Sequence, residues 1–130
     1  MYKLTFVLFA FFSLVLPILA VPIPALDEID RLEKRTAGTV CGTWYNPGLG
    51  NCGETNTASQ FVVAISTQIY DNGTHCKKQV QISYNGQAVK AMVVDSCPGC
   101  GQDDLDMSPA TFEELAPLSV GNIKIEWDFL

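Results

Sequence analysis

A single aspartate stands where an apolar stretch meets a tight turn. The apolar run 91–94 leads directly into Asp95, and the turn 95–101 follows. Apolar surroundings raise the pKa of a carboxyl group, and a raised pKa suits a general acid. The alternative is structural, because the same carboxylate can accept N–H groups from the backbone of the following loop. Asp95 is therefore a candidate catalytic residue, with the structural role left open.

Two cysteines in CxxC spacing, Cys97 and Cys100, come directly after this aspartate. This spacing occurs in redox motifs, in half of a zinc site and in plain disulfides. The redox motif normally opens a helix in a βαβ unit, which the pattern of this chain does not contain. Zinc needs two further ligands. A disulfide is the favoured interpretation, and the sequence predicts neither a metal site nor a cofactor.

The elements that must position these groups are mostly short strands. Asn85-Gly86 is a strong signal for a two-residue hairpin. Strand patterns, rich in β-branched, aromatic or alternating apolar residues, cover 39–45, 60–66, 80–84, 88–94 and 122–129. Five or six strands of this length favour a small barrel, because closure removes exposed strand edges.

One helix is predicted late in the chain, over 108–115. Ser108 is a suitable N-cap, Pro109 takes the first helical position, and Pro117 ends the helix. We expect this helix to pack on the outside of the barrel or to close one of its ends. The predicted fold class is therefore mainly β with one short helix.

The chain begins with a secretory leader. Residues 1–20 contain a lysine, an apolar run that is too short to span a membrane, and a small residue at the end, which is the layout of a signal peptide. Residues 21–35 form a pro-segment that ends in the dibasic pair Lys34-Arg35, similar to kexin-type processing sites. An amphipathic spacer is the alternative. We expect a secreted, extracellular domain over 36–130 that does not contact the membrane after signal removal.

Size and charge limit what this domain can do. The chain has 130 residues and a net charge of -6, which fits one small monomeric domain and excludes nucleic-acid binding, since phosphates could not be neutralised. All 5 cysteines lie in the predicted domain, and secretion favours disulfides. Asn72 begins an Asn-Gly-Thr sequon on a predicted loop and is a candidate glycosylation site, whose occupancy stays open.

Five motifs occur in an order that resembles the double-psi β-barrel group. They are GTWY at 42–45, GNCG at 50–53, VAIS at 63–66, VVDSCPGC at 93–100 and DLDMS at 104–108. The group includes rare lipoprotein A-like domains, the first domain of expansins, barwin and family-45 endoglucanases. The chain is most similar to small secreted fungal proteins of the rare lipoprotein A-like type, some of which carry the label riboflavin aldehyde-forming enzyme. The resemblance implies a six-stranded double-psi β-barrel over 36–130.

The resemblance also implies a site. Asp95 and Asp106 match acids of expansins and their hydrolase relatives, and Thr43 and Tyr45 match residues that line the expansin groove. A tyrosine suits sugar recognition through its hydroxyl and its ring face. The alternatives are an ordinary strand aromatic for Tyr45 and, for Asp106, a cap or bridge at the start of the helix. Trp44, by alternation, is expected to point into the core.

The resemblance favours the disulfides Cys52–Cys76 and Cys97–Cys100. Cys41 is then left over, either as a buried free thiol or in an intermolecular bridge.

The sequence departs from its relatives where hydrolysis would be carried out. Expansins usually have an aromatic residue at the position of Cys97, and bacterial rare lipoprotein A domains have a site histidine, whereas the one histidine here, His75, is in a loop. These departures weaken the expectation of lytic activity.

Three functions follow as hypotheses. The first is an expansin-like module that interacts with wall polysaccharide such as chitin or glucan, without strong hydrolytic activity. The second is a glycoside hydrolase or lytic enzyme with Asp95 or Asp106 as the acid. The third is a cysteine-protease inhibitor or another interaction protein.

Overall fold

Six strands close into a barrel in residues 40–130, the part of the chain that the computed structural model describes. The order around the barrel is β1-β5-β2-β4-β3-β6, and β6 pairs back with β1. The β1–β5 and β2–β4 pairs are parallel and the other four are antiparallel. In chain order the strands are β1 (Val40–Trp44), β2 (Val62–Ser66), β3 (Gln79–Tyr84), β4 (Gln87–Cys97), β5 (Leu105–Met107) and β6 (Ile123–Phe129). The predicted six-stranded, mainly β barrel is confirmed.

Alternation along the strands separates the barrel core from its outer surface. In β5, Leu105 and Met107 are fully buried in the core, and Asp106 between them is half-buried. β2 is buried along its whole length, with Val63 and Ile65 in the core cluster. Successive side chains of a strand point to opposite faces, so Asp106 faces outward.

The hairpin between β3 and β4 has the predicted two-residue turn. Tyr84 pairs with Gln87, and the turn residues Asn85 and Gly86 have φ angles of 47° and 80°. Both angles are positive, as a type I′ turn requires, and asparagine and glycine tolerate this conformation better than other residues.

The predicted late helix is confirmed, in a shorter form. A one-turn helix α1 (Thr67–Tyr70) precedes it in the chain, and the late helix is α2 (Pro109–Glu113). The Ser108 side chain caps α2 by accepting the Thr111 N–H at 3.2 Å, and its hydroxyl donates to the Gln60 carbonyl at 2.6 Å. Phe112 is fully buried in the core. α1 was not predicted, because four residues are too few to show a helical period.

Of the two disulfides among the described residues, one joins two loops and the other joins the end of β4 to the turn that follows it. They join Cys52 to Cys76 and Cys97 to Cys100, the two pairs that the resemblance favoured. Cys41 is free among the described residues and half-buried, with the Lys124 Nζ 3.1 Å from its Sγ.

The predicted glycosylation site, signal peptide and pro-segment are not tested by the barrel structure. Asn72 is exposed in a 3-10 turn (Asp71–Gly73), and its glycosylation stays a prediction. The signal peptide 1–20 and the pro-segment 21–35 lie outside the described residues. Within residues 40–130, no helix has the length and apolar character needed to cross a membrane.

Candidate functional site

The barrel register aligns three of the four predicted site residues in one row. Asp95 of β4 pairs with Ala64 of β2, Ala64 pairs with Asp106 of β5, and Asp106 pairs with Thr43 of β1. Directly paired residues share a face of the sheet, and neighbouring strands lie about 4.8 Å apart. The backbones of the two aspartates are therefore roughly 10 Å apart on the outer face, with the small Ala64 side chain between them.

A β-bulge brings Asp95 into this row. Val63 pairs with Val93, but the next residue of β2, Ala64, pairs with Asp95, so Val94 is skipped. Without this shift Val94 would pair with Ala64, and the Asp95 side chain would lie on the opposite face of the sheet. β4 also continues to Cys97, so the predicted strand 88–94 ends three residues too early and the turn does not begin at Asp95. Pairing with β2 as far as Ser66 extends the strand past the apolar run.

Asp106 is half-buried and hydrogen-bonded to its neighbour in the row. The Thr43 hydroxyl donates to Asp106 Oδ1 at 2.9 Å. Burial raises the pKa of Asp106, and the hydrogen bond from Thr43 offsets part of that effect. The cap of α2 is Ser108, so the capping role that the sequence left open for Asp106 belongs to another residue.

Tyr45 lies next to both carboxylates. Its backbone N–H donates to the Met107 carbonyl at 2.9 Å, which continues the alignment of β1 with β5. Burial raises the pKa of Tyr45, and the charges of Asp95 and Asp106 raise it further, so the phenol is neutral. Its hydroxyl is buried and has no hydrogen-bond partner among residues 40–130. Trp44 points to the other side, packs against the core and donates its indole N–H to the Leu118 carbonyl at 3.0 Å.

The Asp95 carboxylate is held by two backbone N–H groups. Its Oδ1 accepts from Ser96 at 2.8 Å and from Asn51 at 2.8 Å. The alternative structural role of Asp95, in which it accepts N–H groups from the backbone that follows it, therefore applies in part, because Ser96 is the next residue in the chain. Asn51 comes from another loop, and its side chain also contacts the Ser96 hydroxyl. This role of Asn51 was not predicted, although Asn51 belongs to the GNCG motif at 50–53.

The loop that carries Asn51, residues 46–57, is fastened to the barrel at several points. The Cys52 N–H donates to the Val94 carbonyl at 3.2 Å, and Cys52 is disulfide-bonded to Cys76. Glu54 forms an ion pair with Lys77 at 2.6 Å. Gly50 lies so close to β4 that a Cβ would overlap the Val94 carbonyl oxygen. We call this segment the Asn51 loop.

The four predicted residues thus converge, and they offer different chemistry. Asp106 can hold a proton at higher pH than an exposed aspartate, whereas Asp95 accepts hydrogen bonds. Thr43 and Tyr45 supply hydroxyl groups, and Tyr45 adds an aromatic ring. Residues 40–130 contain no group of three or more side chains arranged to hold a metal ion.

The closed six-stranded barrel, with its two parallel strand pairs, defines a double-psi β-barrel protein. A family model described as lytic transglycolase matches residues 35–127. The chain belongs to this family of rare lipoprotein A-like and expansin-like double-psi barrel domains.

The chain is similar to an inhibitor and to expansins. The papain inhibitor of Streptomyces mobaraensis is 35% identical over 116 residues, which cover 82% of this chain and 79% of that protein. Its solved structure matches with a TM-score of 0.65 and 36% identity, covering 72% of this chain and 93% of that one.

A mutant Clavibacter michiganensis expansin in complex with cellohexaose gives a TM-score of 0.65 at 26% identity, covering 70% of this chain and 48% of that one. Expansin-like protein 1 of Dictyostelium discoideum is 30% identical over 125 residues, which cover 87% of this chain and 44% of that protein. The chain thus spans less than half the length of these two relatives.

Because Gly50 lies so close to β4, adding one methyl group at this position should clearly destabilise the fold. We expect Gly50→Ala to lower the free energy of unfolding by about 1–3 kcal/mol and to shift the amide resonance of Asn51, because the loop must move away from Asp95. Gly48→Ala is the matched control, since its Cβ would meet nothing within 4 Å. Chemical denaturation and amide NMR measure both effects. Equal behaviour of the two variants would contradict this packing.

The raised pKa of Asp106 predicts a pH-dependent stability difference. The folded chain binds this proton more tightly than the unfolded chain, so the contribution of Asp106 to stability is largest at low pH and is lost as pH rises through its folded pKa. We expect Asp106→Asn to be more stable than the parent at pH 7, with the difference shrinking towards pH 3. Urea denaturation measures it, with the exposed Glu113→Gln as the control. A difference that grows on acidification would refute the assignment.

Proposed function

We propose that this chain is a secreted, expansin-like module that binds a neutral wall polysaccharide, glucan or chitin, at the row of Thr43, Asp106 and Asp95 together with Tyr45. In this proposal the module has no strong hydrolytic activity. Net charge -6 disfavours anionic polymers, which makes a neutral chain the better ligand.

The observation that carries the proposal is the buried Tyr45 hydroxyl without a partner, placed beside two carboxylates. An unsatisfied buried hydroxyl costs about 1–3 kcal/mol, and a sugar hydroxyl that reaches it removes this cost. The hydroxyl is closed off from solvent, so a neighbouring side chain must shift when the sugar binds. The carboxylates and the Thr43 hydroxyl then supply the acceptors that sugar hydroxyl groups need.

The contacts of Asp95 support binding over hydrolysis. Glycoside hydrolysis needs one carboxyl group as acid and a second one free to act as base or nucleophile. Asp106 has the raised pKa of an acid, but Oδ1 of Asp95 accepts two backbone N–H groups, which hold this carboxylate against its own strand and the Asn51 loop and leave only Oδ2 for a base or nucleophile. The expansin solved with cellohexaose, which shares this barrel, supports a β-linked glucan as ligand.

Cellohexaose titration followed by amide NMR tests the site. We expect saturable shifts at Thr43, Tyr45 and Asp106, and about tenfold weaker binding for Tyr45→Phe, which keeps the ring and removes the hydroxyl. Tyr84→Phe, the same change on a half-buried tyrosine of β3, is the matched control.

The same samples are incubated with insoluble cellulose and chitin, and released sugar is measured. Retention without release supports the proposal. Sugar release that disappears in Asp106→Asn would instead establish the hydrolase, and the absence of retention and of NMR shifts would refute binding at this site.

A second candidate function is inhibition of papain-type cysteine proteases. The match to the Streptomyces papain inhibitor covers 79% of that protein, whereas the expansin matches cover about half of their proteins or less. In addition, the Asn51 loop, which is fastened to the barrel, presents Leu49 with 77% of its surface exposed. A fastened loop with an exposed apolar side chain can enter a protease cleft with little loss of entropy.

Titration of papain with this chain tests the second candidate. We expect stoichiometric loss of protease activity, and Leu49→Asp should weaken inhibition at least tenfold, because a charge replaces an exposed apolar side chain. Leu130→Asp, at the exposed C-terminus, is the control for an added charge at an apolar surface residue. Papain that keeps full activity with excess chain would eliminate this candidate.

A further inference from the structure

The second half of β6 has one strand edge without a partner among residues 40–130. β1 pairs with β6 only as far as Val40, which lies opposite Ile125, so the stretch 126–129 of β6 extends past the described start of β1. On its other side this stretch stays paired with β3. Within the described part of the chain, β6 is therefore flanked by two strands up to Ile125 and by one strand beyond it.

The backbone groups on this free edge belong to Trp127 and Phe129. The Leu130 N–H donates to the carbonyl of Gln79, the first residue of β3, at 2.9 Å. Successive residues of an antiparallel strand direct their backbone groups to opposite sides. The N–H and C=O groups of Trp127 and Phe129 therefore point away from β3, towards the side of β1. Proteins usually cover or pair an edge of this kind, because its backbone groups otherwise lack partners.

A groove of about 360 Å³ lies along the same edge. Val40, Trp127 and Phe129 line it, and the Trp127 indole N–H donates to the Asp103 carbonyl at 2.7 Å. Asp103 precedes β5, which is the other neighbour of β1 in the barrel. The groove therefore lies between the two neighbours of β1, on the side from which the chain enters that strand. We call it the Trp127 groove, and none of the four residues of the proposed polysaccharide site lines it.

The segment that leads into β1 matches this edge in length and in side-chain size. Four residues, 36–39, stand between the predicted processing site and β1, and the free edge of β6 is also four residues long. Continuing the register of β1 and β6 pairs Gly38 with Trp127 and Thr36 with Phe129. Paired residues share a face of the sheet, so a glycine opposite Trp127 leaves room for the indole.

We propose that residues 36–39 occupy the Trp127 groove as a continuation of β1 along the free edge of β6. A segment of the same chain reaches the groove without the entropy cost of bringing two molecules together, which favours it over a strand from a partner. The four added residues would pair the backbone groups of Trp127 and Phe129. The proposal does not depend on the polysaccharide site.

The same register gives a physical reason for the position of the processing site. Thr36 would pair with the last residue of β6, so the dibasic pair Lys34-Arg35 would lie just beyond the barrel. A protease can bind the pair there in an extended form. It would add water across the Arg35–Thr36 peptide bond, leaving a carboxylate on Arg35 and an amino group on Thr36. The cut would leave the added strand complete.

NMR of the secreted precursor tests the register without changing the sequence. In an antiparallel pair, residues that are not hydrogen-bonded approach to about 4.5 Å between Cα atoms, and their Hα protons give a strong NOE. We expect such NOEs between Thr39 and Glu126 and between Ala37 and Asp128. The two edge amides of β6 should exchange with solvent about a hundredfold more slowly than in an unstructured peptide. Absence of these NOEs, or fast exchange of both amides, would overturn the proposal.

Comparison of uncut and processed protein identifies the occupant. The uncut form carries Lys34→Gln with Arg35→Gln, and the processed form is treated with a kexin-type protease. We expect the NOEs and the slow exchange in both forms, and N-terminal sequencing should begin at Thr36. Loss of protection after cleavage would assign the groove to the pro-segment 21–35, and protection that falls on dilution would assign it to a second copy. Either result, or an Arg35–Thr36 bond that resists the protease, would overturn the proposal.

A pair of valine substitutions tests the space at Gly38. Gly38→Val adds a side chain on the face of the indole, so we expect the NOEs to disappear and the Trp127 amide to exchange about tenfold faster or more. Ala37→Val adds a branched side chain on the opposite face and should change this rate less than about threefold. The Ile125 amide, on the part of β6 that pairs with described β1, shows whether the barrel stays folded. Equal acceleration at Trp127 in the two variants would contradict the predicted register.

Discussion

The pairing of β2 with both β4 and β5 is the constraint on which the site depends. β2 is buried along its whole length, and its register fixes what lies on either side of Ala64. A slip by one residue would exchange the inner and outer faces of a strand. The bulge after Val63 shifts the register between β2 and β4 by one residue, and the register between β2 and β5 is unchanged. As a result Asp95, and not Val94, pairs with Ala64 in the outer row. The pairing of the buried strand β2 therefore determines where Asp95 and Asp106 lie on the outer face of the barrel.

Electrostatics then distinguish the two carboxylates that this row brings together. Asp95 is more firmly tied, because backbone N–H groups from two segments meet one of its oxygens. Asp106 has a hydroxyl partner and a raised pKa, since burial outweighs the hydrogen bond from Thr43. Tyr45 lies beside both and keeps its proton, because ionisation would place a third negative charge in a half-buried region. One acceptor, one carboxyl that protonates readily and one unsatisfied hydroxyl suit recognition of a polyhydroxylated ligand.

The same barrel presents a further surface with different chemistry. The Asn51 loop exposes the apolar side chain of Leu49 and is fastened by a disulfide, an ion pair and the Asp95 carboxylate. Since a small domain exposes much of its surface, the Asn51 loop and the row of site residues can each serve a partner without disturbing the core. Relatives named for papain inhibition and as expansins share the fold, and the fold alone does not choose between these functions.

The sequence alone determined the local elements, because their causes lie within a few residues. Alternation indicated β6, Asn85-Gly86 fixed the hairpin, and Ser108 with Pro109 set the start of the helix. β5 was not assigned as a strand, since three residues with a central aspartate show too little pattern. The resemblance named Thr43, Tyr45, Asp95 and Asp106, but periodicity gave no reason for them to meet. Thr43 and Asp106 are 63 positions apart, and only closure of the barrel brings them to 2.9 Å. The bulge, the Asn51 contact and the unsatisfied Tyr45 hydroxyl likewise arise from packing between distant segments, which no local pattern encodes.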